Sequence, residues 1–111
     1  MIVTTLNKVA DRKTLKVLGL ARGNTIRARH IGKDIMAGLR GVVGGEVSEY
    51  TKLFAESREQ SLDRMVKEAE DLGANAVLGV RFATSMVMSA AAELMVYGTA
   101  VVLEDETPAD R

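Results

Sequence analysis

The strongest pattern along the chain is a stripe. Tyr50, Leu53, Phe54, Ser57, Ser61, Met65, Ala69 and Leu72 recur at intervals of three and four residues. That spacing predicts an amphipathic helix from about Ser48 to Leu72, with Ser48 as its N-cap. Glu56, Glu59, Asp63, Lys67 and Asp71 occupy the other faces, where Asp63/Lys67 and Arg64/Glu68 stand four apart as ion pairs. Such a helix spans about 37 Å, long for a small domain. The small Ser57, Ser61 and Ala69 imply that a sheet or a neighbouring subunit packs closely on the stripe. The run Leu72-Gly73-Ala74-Asn75-Ala76-Val77 ends the helix. Gly73 fits the left-handed residue of a helix stop, Asn75 serves the turn, and Val77 opens a buried strand.

The period is two elsewhere. Ile2 to Thr5 is a short β-prone start, and Leu15 to Ala28 is β-like but broken by Gly19 and Gly23. Within it Arg27 and Arg29 alternate with Ile26 and Ala28, as in a half-exposed strand. From Ile31 the spacing of Ile35, Leu39, Val42 and Val43 predicts a short helix ending at Gly44-Gly45. Ala76 to Thr84 and Glu93 to Leu103 read as strands joined by Ser85 to Ala92. In the last strand both faces are apolar towards the end, which predicts burial on both sides and hints at association. Gly98 inside it marks a bulge or a close backbone approach. The order β-β-α-α-β-β, with a short connection between the last two strands, predicts an antiparallel final pair. The fold class is α+β: a two-layer sandwich of a largely antiparallel sheet and one long helix. Residues 1–103 form one domain, and residues 104–111 an acidic flexible tail.

Composition narrows the function. One domain of 111 residues buries only about two thirds of its unfolded surface alone, so association helps it. There are no cysteines, which excludes disulfides, thiolate metal sites and Cys nucleophiles. No apolar signal core stands at the start, and no run reaches the roughly 18 apolar residues of a membrane span. A soluble cytoplasmic protein, not a membrane one, is expected. The net charge of zero hides a split: residues 1–45 hold nine Lys/Arg and two acids (+7), and residues 46–111 six and thirteen (−7). The split fits either a nucleic-acid surface or faces that neutralise each other. The acidic half would repel phosphate, and aromatics are only 4% of the chain, so no nucleic-acid partner is expected.

The residues also carry a family resemblance. Met1-Ile2-Val3-Thr4-Thr5, Gly32-Lys33-Asp34, Ala37-Gly38-Leu39-Arg40 and Val43-Gly44-Gly45 are followed by Tyr50, Arg58, Met65 and Leu72 to Val77. Gly79-Val80, Leu94-Met95-Val96 and Gly98-Thr99-Ala100-Val101 complete the series. In this order the chain resembles the YbjQ-like family, which carries a heavy-metal-binding label, over about residues 2–103. The resemblance implies a dodecin-like βαββ core with extra short strands, assembled as a homopentamer. It brings no established activity and no catalytic residues. The chain departs from the family pattern at Gly41 and Arg81, where acidic residues are usual, and at Glu46-Val47-Ser48, which replaces a more basic segment.

Candidate chemistry follows from ligand types. Zinc favours Cys and His, and the chain has one His. Five copies of His30 around a pentamer axis would suit no tetrahedral ion; His30 and Asp34 could instead share a helix face. Met86 and Met88 are the one pair of soft ligands close in sequence, and thioethers select Cu(I); packing is the competing role. A metal ion is thus the one cofactor to consider, through His30, Met86 and Met88. The glycine-rich stretch 38–45 lacks the Lys-Ser/Thr ending of a P-loop and reads as a break between helices. Asp34, Arg40, Tyr50, Arg58 and Arg81, with Asn75, are the polar residues to inspect for a site, since Arg pairs with a Tyr hydroxyl suit carboxylate or phosphate. Salt bridging between subunits is the other role open to these arginines. No nucleophile stands with a base partner. The expected function is binding or assembly by a homopentamer; the alternative is a heavy-metal or small-anion binding protein with sites between subunits.

Overall fold

In the computed structural model of the chain, residues 1–27, 48–88 and 91–105 are described. The short helix expected after Ile31 lies outside them. Four strands and one helix make up the rest: β1 (Ile2–Val3), β2 (Thr14–Arg27), α1 (Ser48–Asp71), β3 (Ala76–Met88) and β4 (Ala91–Leu103). They form a mixed sheet of order β1-β3-β4-β2. β4 runs antiparallel to both β2 and β3, and β1 adds parallel to β3. The two-layer α+β architecture with one long helix is the one the periodicity predicts.

The helix stop forms as expected. Gly73 has φ 91°, its amide donates to the Glu70 carbonyl at 2.9 Å, and the Ala74 amide donates to Ala69 at 3.0 Å. This pair of bonds is a Schellman motif, and Ala74 packs back on the core that contains Ala69. Asn75 does more than turn the chain. Its carboxamide donates to the Leu103 carbonyl at 3.0 Å and accepts from the Leu103 amide at 2.8 Å. The side chain thereby continues the β3–β4 ladder where the backbone of β3 has not yet begun.

β2 is continuous through both glycines expected to break it. Gly19, at φ 127°, sits at a register irregularity between Val17 and Gly19, so it re-aims the strand without ending it. At Gly23 a Cβ would collide with the Ser61 carbonyl and lie 2.5 Å from the Met65 amide nitrogen. The backbone of α1 therefore rests directly on β2 there. Ser57, Ser61, Met65 and Ala69 of the stripe are buried, whereas Phe54 and Leu72 at its ends are exposed. Beneath them lie Ala21, Val77, Val80, Val96 and Ala100. The buried Thr25 and Ser61 hydroxyls are 3.3 Å apart, and Ser61 donates to the Leu94 carbonyl at 3.2 Å, so the polar atoms under the helix are partnered.

β3 and β4 run further than expected, into the segment Ser85–Ala92 that reads as a connection. Long antiparallel pairing overrides the weak strand preference of its Ser and Ala residues. The doubly apolar end of β4 also has a local explanation. Val101 and Leu103, with Ala76 and Leu78, form a second core covered by Ile2 and Val9. The chain's own N-terminal segment supplies that burial, so this part of the case for association falls away. Glu104, at the start of the acidic tail, is fastened to the same segment: its amide donates to the Lys13 carbonyl, and its carbonyl accepts from Arg12 Nε at 2.8 Å.

Candidate functional site

The sheet has one face under α1 and one turned away from it. Register assigns side chains to each. Ala21, Gly23 and Thr25 of β2 are buried while Leu20, Arg22, Asn24 and Ile26 between them are exposed, so the second set points away from the helix. Arg22 pairs with Tyr97 of β4, and Tyr97 pairs with Arg81 of β3. The three form one row across three strands on the open face. Rows to either side hold Leu20 with Thr99, and Asn24, Met95 and Ala83.

This row is rich in hydrogen-bond donors. Arg81, exposed, uses one terminal nitrogen, which donates to the Thr5 carbonyl at 3.0 Å and the Val80 carbonyl at 2.8 Å. Among the described residues the Arg22 guanidinium and the Tyr97 hydroxyl have no partner. The acid on the same face, Glu93, is held by Asn24 Nδ2 at 3.0 Å and by Ser85 Oγ at 3.4 Å. Four residues along a strand set its Cα about 13 Å from that of Tyr97, and the bond to Asn24 brings its carboxylate to the row next to Arg22. Among the described residues the one ion pair is Lys67–Asp71 at 3.5 Å, on the outside of α1.

Of the residues singled out from the sequence, His30, Asp34 and Arg40 lie outside the described residues. Tyr50 stands in the first turn of α1. Arg58 is exposed on α1 and Arg81 is on the sheet face that α1 does not cover, so within one chain the sheet separates these two. Met86 is 70% exposed near the end of β3, and Met88 is that strand's last residue. A register irregularity lies between them. Among the described residues no group of three or more His, Cys, Asp or Glu gathers where a metal ion could sit. No helix of the described residues is long and apolar enough to cross a membrane.

The expected i,i+4 ion pairs of α1 are rearranged. Lys67 meets Asp71 in place of Asp63. Arg64 donates to the Asn24 carbonyl, and Glu68 accepts from the Arg22 amide at 3.2 Å. Both side chains thus cap the outer edge of β2, whose backbone groups would otherwise be unpaired. Arg22 and Tyr97 escaped the sequence reading because they lie far apart in the chain. The available signals were the exposed arginine between Ala21 and Gly23, and Tyr97 on the Glu93–Met95–Thr99 face of β4.

Comparison with known proteins agrees with the resemblance in the sequence. A family model described as "Putative heavy-metal-binding" matches residues 1–104. A UPF0145 protein of Methanosarcina acetivorans is 57% identical over 101 residues, covering 91% of this chain and 95% of its own length. One from Dehalococcoides mccartyi is 57% identical over 104 residues, covering 94% and 100%. One from Thermus thermophilus is 54% identical over 104 residues, covering 94% and 91%. The fold is also that of a solved protein of unknown function from the DUF74 family of Pediococcus pentosaceus, with a TM-score of 0.52 at 18% identity over 94% of this chain and 98% of that one. On the strength of a match that runs from the first strand to Glu104, this chain belongs to the YbjQ-like UPF0145 family.

Proposed function

We propose that this protein is a self-assembling binding protein of the cytoplasm, a homopentamer on a dodecin-like βαββ core, and not an enzyme. The carrying observation is the apolar exposure of β2: Leu15, Val17, Leu20 and Ile26 are 63%, 65%, 55% and 57% accessible in the single chain. Burying such side chains stabilises an assembly by about 1 kcal/mol or more each. The order β2-α1-β3-β4 supports the dodecin-like core.

A ring of five needs a heterologous contact, in which two different surfaces meet. The sheet offers two unlike edges. One is β2, where Arg64 and Glu68 cap the middle and leave Thr14–Leu20 uncapped by them. The other is the distal half of β3, with Phe82 and Met86 exposed at 44% and 70%. Light scattering after gel filtration tests the reading: the Val17→Lys/Leu20→Lys double variant dissociates while keeping its circular dichroism. A variant with the wild-type mass would remove β2 from the interface.

The description of the family model favours a second reading, the binding of a heavy-metal ion. Met86 and Met88 are the residues of this chain that fit a soft ion, and His30 with Asp34 the alternative pair. Stoichiometric Cu(I) uptake that disappears in Met86→Leu/Met88→Leu supports the methionine pair; unchanged uptake rejects it, and loss in His30→Ala moves the site to the other pair.

A further inference from the structure

We infer that Arg64 and Glu68 are a register stop for assembly. Lying across the edge of β2, they admit the free edge of a second copy's β3 at Thr14–Leu20 and turn it away from Arg22–Asn24. The inference rests on the assembly reading above, and adds which strands meet, in which direction and at which height.

The two outer edges of the sheet are each half closed, at opposite ends. Along β2, the Arg22 amide donates to Glu68 at 3.2 Å and the Asn24 carbonyl accepts from Arg64. Both backbone groups therefore point away from β4, into the slot that a further strand would fill about 4.8 Å away. Two side chains of α1 already lie in that slot. Along β3, the first half is closed by the start of the chain. The Ile2 and Thr4 amides donate to the Asn75 and Val77 carbonyls, and the Gly79 and Val80 amides donate to the Leu6 and Thr4 carbonyls. The Arg81 guanidinium, bonded to the Thr5 carbonyl at 3.0 Å, ends this seam. Thr14–Leu20 of β2 and Phe82–Met88 of β3 remain, seven residues each. Neither stretch has a strand on its outer side among the described residues.

Register across β4 shows that these free stretches are not level. Gly23, Val96 and Phe82 form one row, and Arg27, Ala92 and Met86 another. The free part of β3 is thus level with Gly23–Arg27, whereas the free part of β2 is level with Thr99–Leu103 at the other end of the sheet. Two copies side by side at equal height would set Phe82–Met86 of one against Gly23–Arg27 of the other. A strand could add there only by displacing Arg64 from the Asn24 carbonyl, a bond to a charged donor and so one of the stronger kind. Offset along the strands, the two free stretches meet over their whole length. β2 and β3 both run antiparallel to β4, and the copies of a ring share one sense along its axis, so the strands meet parallel. β1 adds to β3 in the same sense. A sheet closes on itself only with a staggered register, whereas level addition leaves a fresh open edge on every copy added.

The chain has no cysteine, so disulfide trapping reads the register directly. Val17, Asn24 and Ser85 lie on the sheet face turned away from α1. Within one chain β4 stands between Ser85 and the other two, too far for a disulfide. Full-length Val17→Cys/Ser85→Cys and Asn24→Cys/Ser85→Cys are oxidised with copper phenanthroline and separated on a non-reducing gel. The expected result is a ladder of linked subunits from the first pair and single subunits from the second. Adding Arg64→Ala/Glu68→Ala to the second pair produces the ladder, together with species larger than the wild type in light scattering. A first pair that stays unlinked while the wild type assembles overturns the inference, as does a second pair that links with Arg64 and Glu68 in place. These two proteins decide the matter even if the Arg64→Ala/Glu68→Ala protein unfolds. A wild type that is monomeric in light scattering overturns the assembly reading and the inference with it, so the two failures are told apart.

Discussion

Replacing Gly23 with alanine places a methyl group where α1 already touches β2. The new Cβ would overlap the Ser61 carbonyl oxygen and stand 2.5 Å from the Met65 amide nitrogen, where ordinary contact begins at 3.4 Å. Both obstacles are backbone atoms, so no rotamer change makes room. The helix must lift by about 1 Å, which loosens Met65 and Ala69 against Ala21 and Val96. Overpacking of this kind costs about 1–3 kcal/mol, and a backbone obstacle puts Gly23→Ala at the upper end. The restriction of the unfolded chain by alanine returns about 0.4–1 kcal/mol, leaving a net loss of about 2 kcal/mol. With a urea slope of about 1–3 kcal/mol per molar, the unfolding midpoint falls by about 1 M. Circular dichroism reads it, at several protein concentrations because assembly makes stability concentration-dependent. A second variant isolates the cause: Met65→Ala does not rescue Gly23→Ala, since the clash is with the backbone. An unchanged midpoint in Gly23→Ala, or rescue by Met65→Ala, would refute the close approach of α1 and β2.

Three further outcomes follow from the packing. Asn75→Ala removes both bonds to Leu103 and leaves a partly buried amide and carbonyl unpaired; it lowers unfolding stability by about 1–3 kcal/mol in urea titration. Ser61→Ala and Thr25→Val each remove one hydroxyl of the pair under α1, and in a double-mutant cycle their effects are non-additive by about 0.5 kcal/mol or more. Glu68→Gln keeps an acceptor for the Arg22 amide and leaves stability near wild type, whereas Glu68→Ala uncaps the β2 edge and raises aggregation on heating, read by turbidity.

The long-period features of the fold were legible because each rests on a pattern within one segment. The stripe from Ser57 to Ala69 is buried as its spacing predicts, and Gly73 stops the helix for the reason its lack of a Cβ suggests. Gly19 and Gly23 were less legible. A glycine that bends a strand, one that lets a helix approach and one that ends an element share the same letter, and the distinction lies in what packs opposite. The doubly apolar end of β4 posed the same difficulty, since Val9 and Ile2 lie 94 and 101 positions away from Leu103. The candidate site shows the limit most clearly. Arg81 stood out alone, but Arg22 and Tyr97 join it only through strand register, which no local pattern records. Arg64 and Glu68 looked like partners on one helix until the edge of β2 gave each a backbone group to satisfy.

The central claim is that the exposed apolar row of β2 exists to be covered by another copy of the chain. Native mass spectrometry of the untagged protein tests it most directly, since it counts subunits and weighs any retained ligand in the same spectrum. The account predicts five subunits across the micromolar range, with the Val17→Lys/Leu20→Lys variant at one. A wild-type protein that stays monomeric at these concentrations would contradict it.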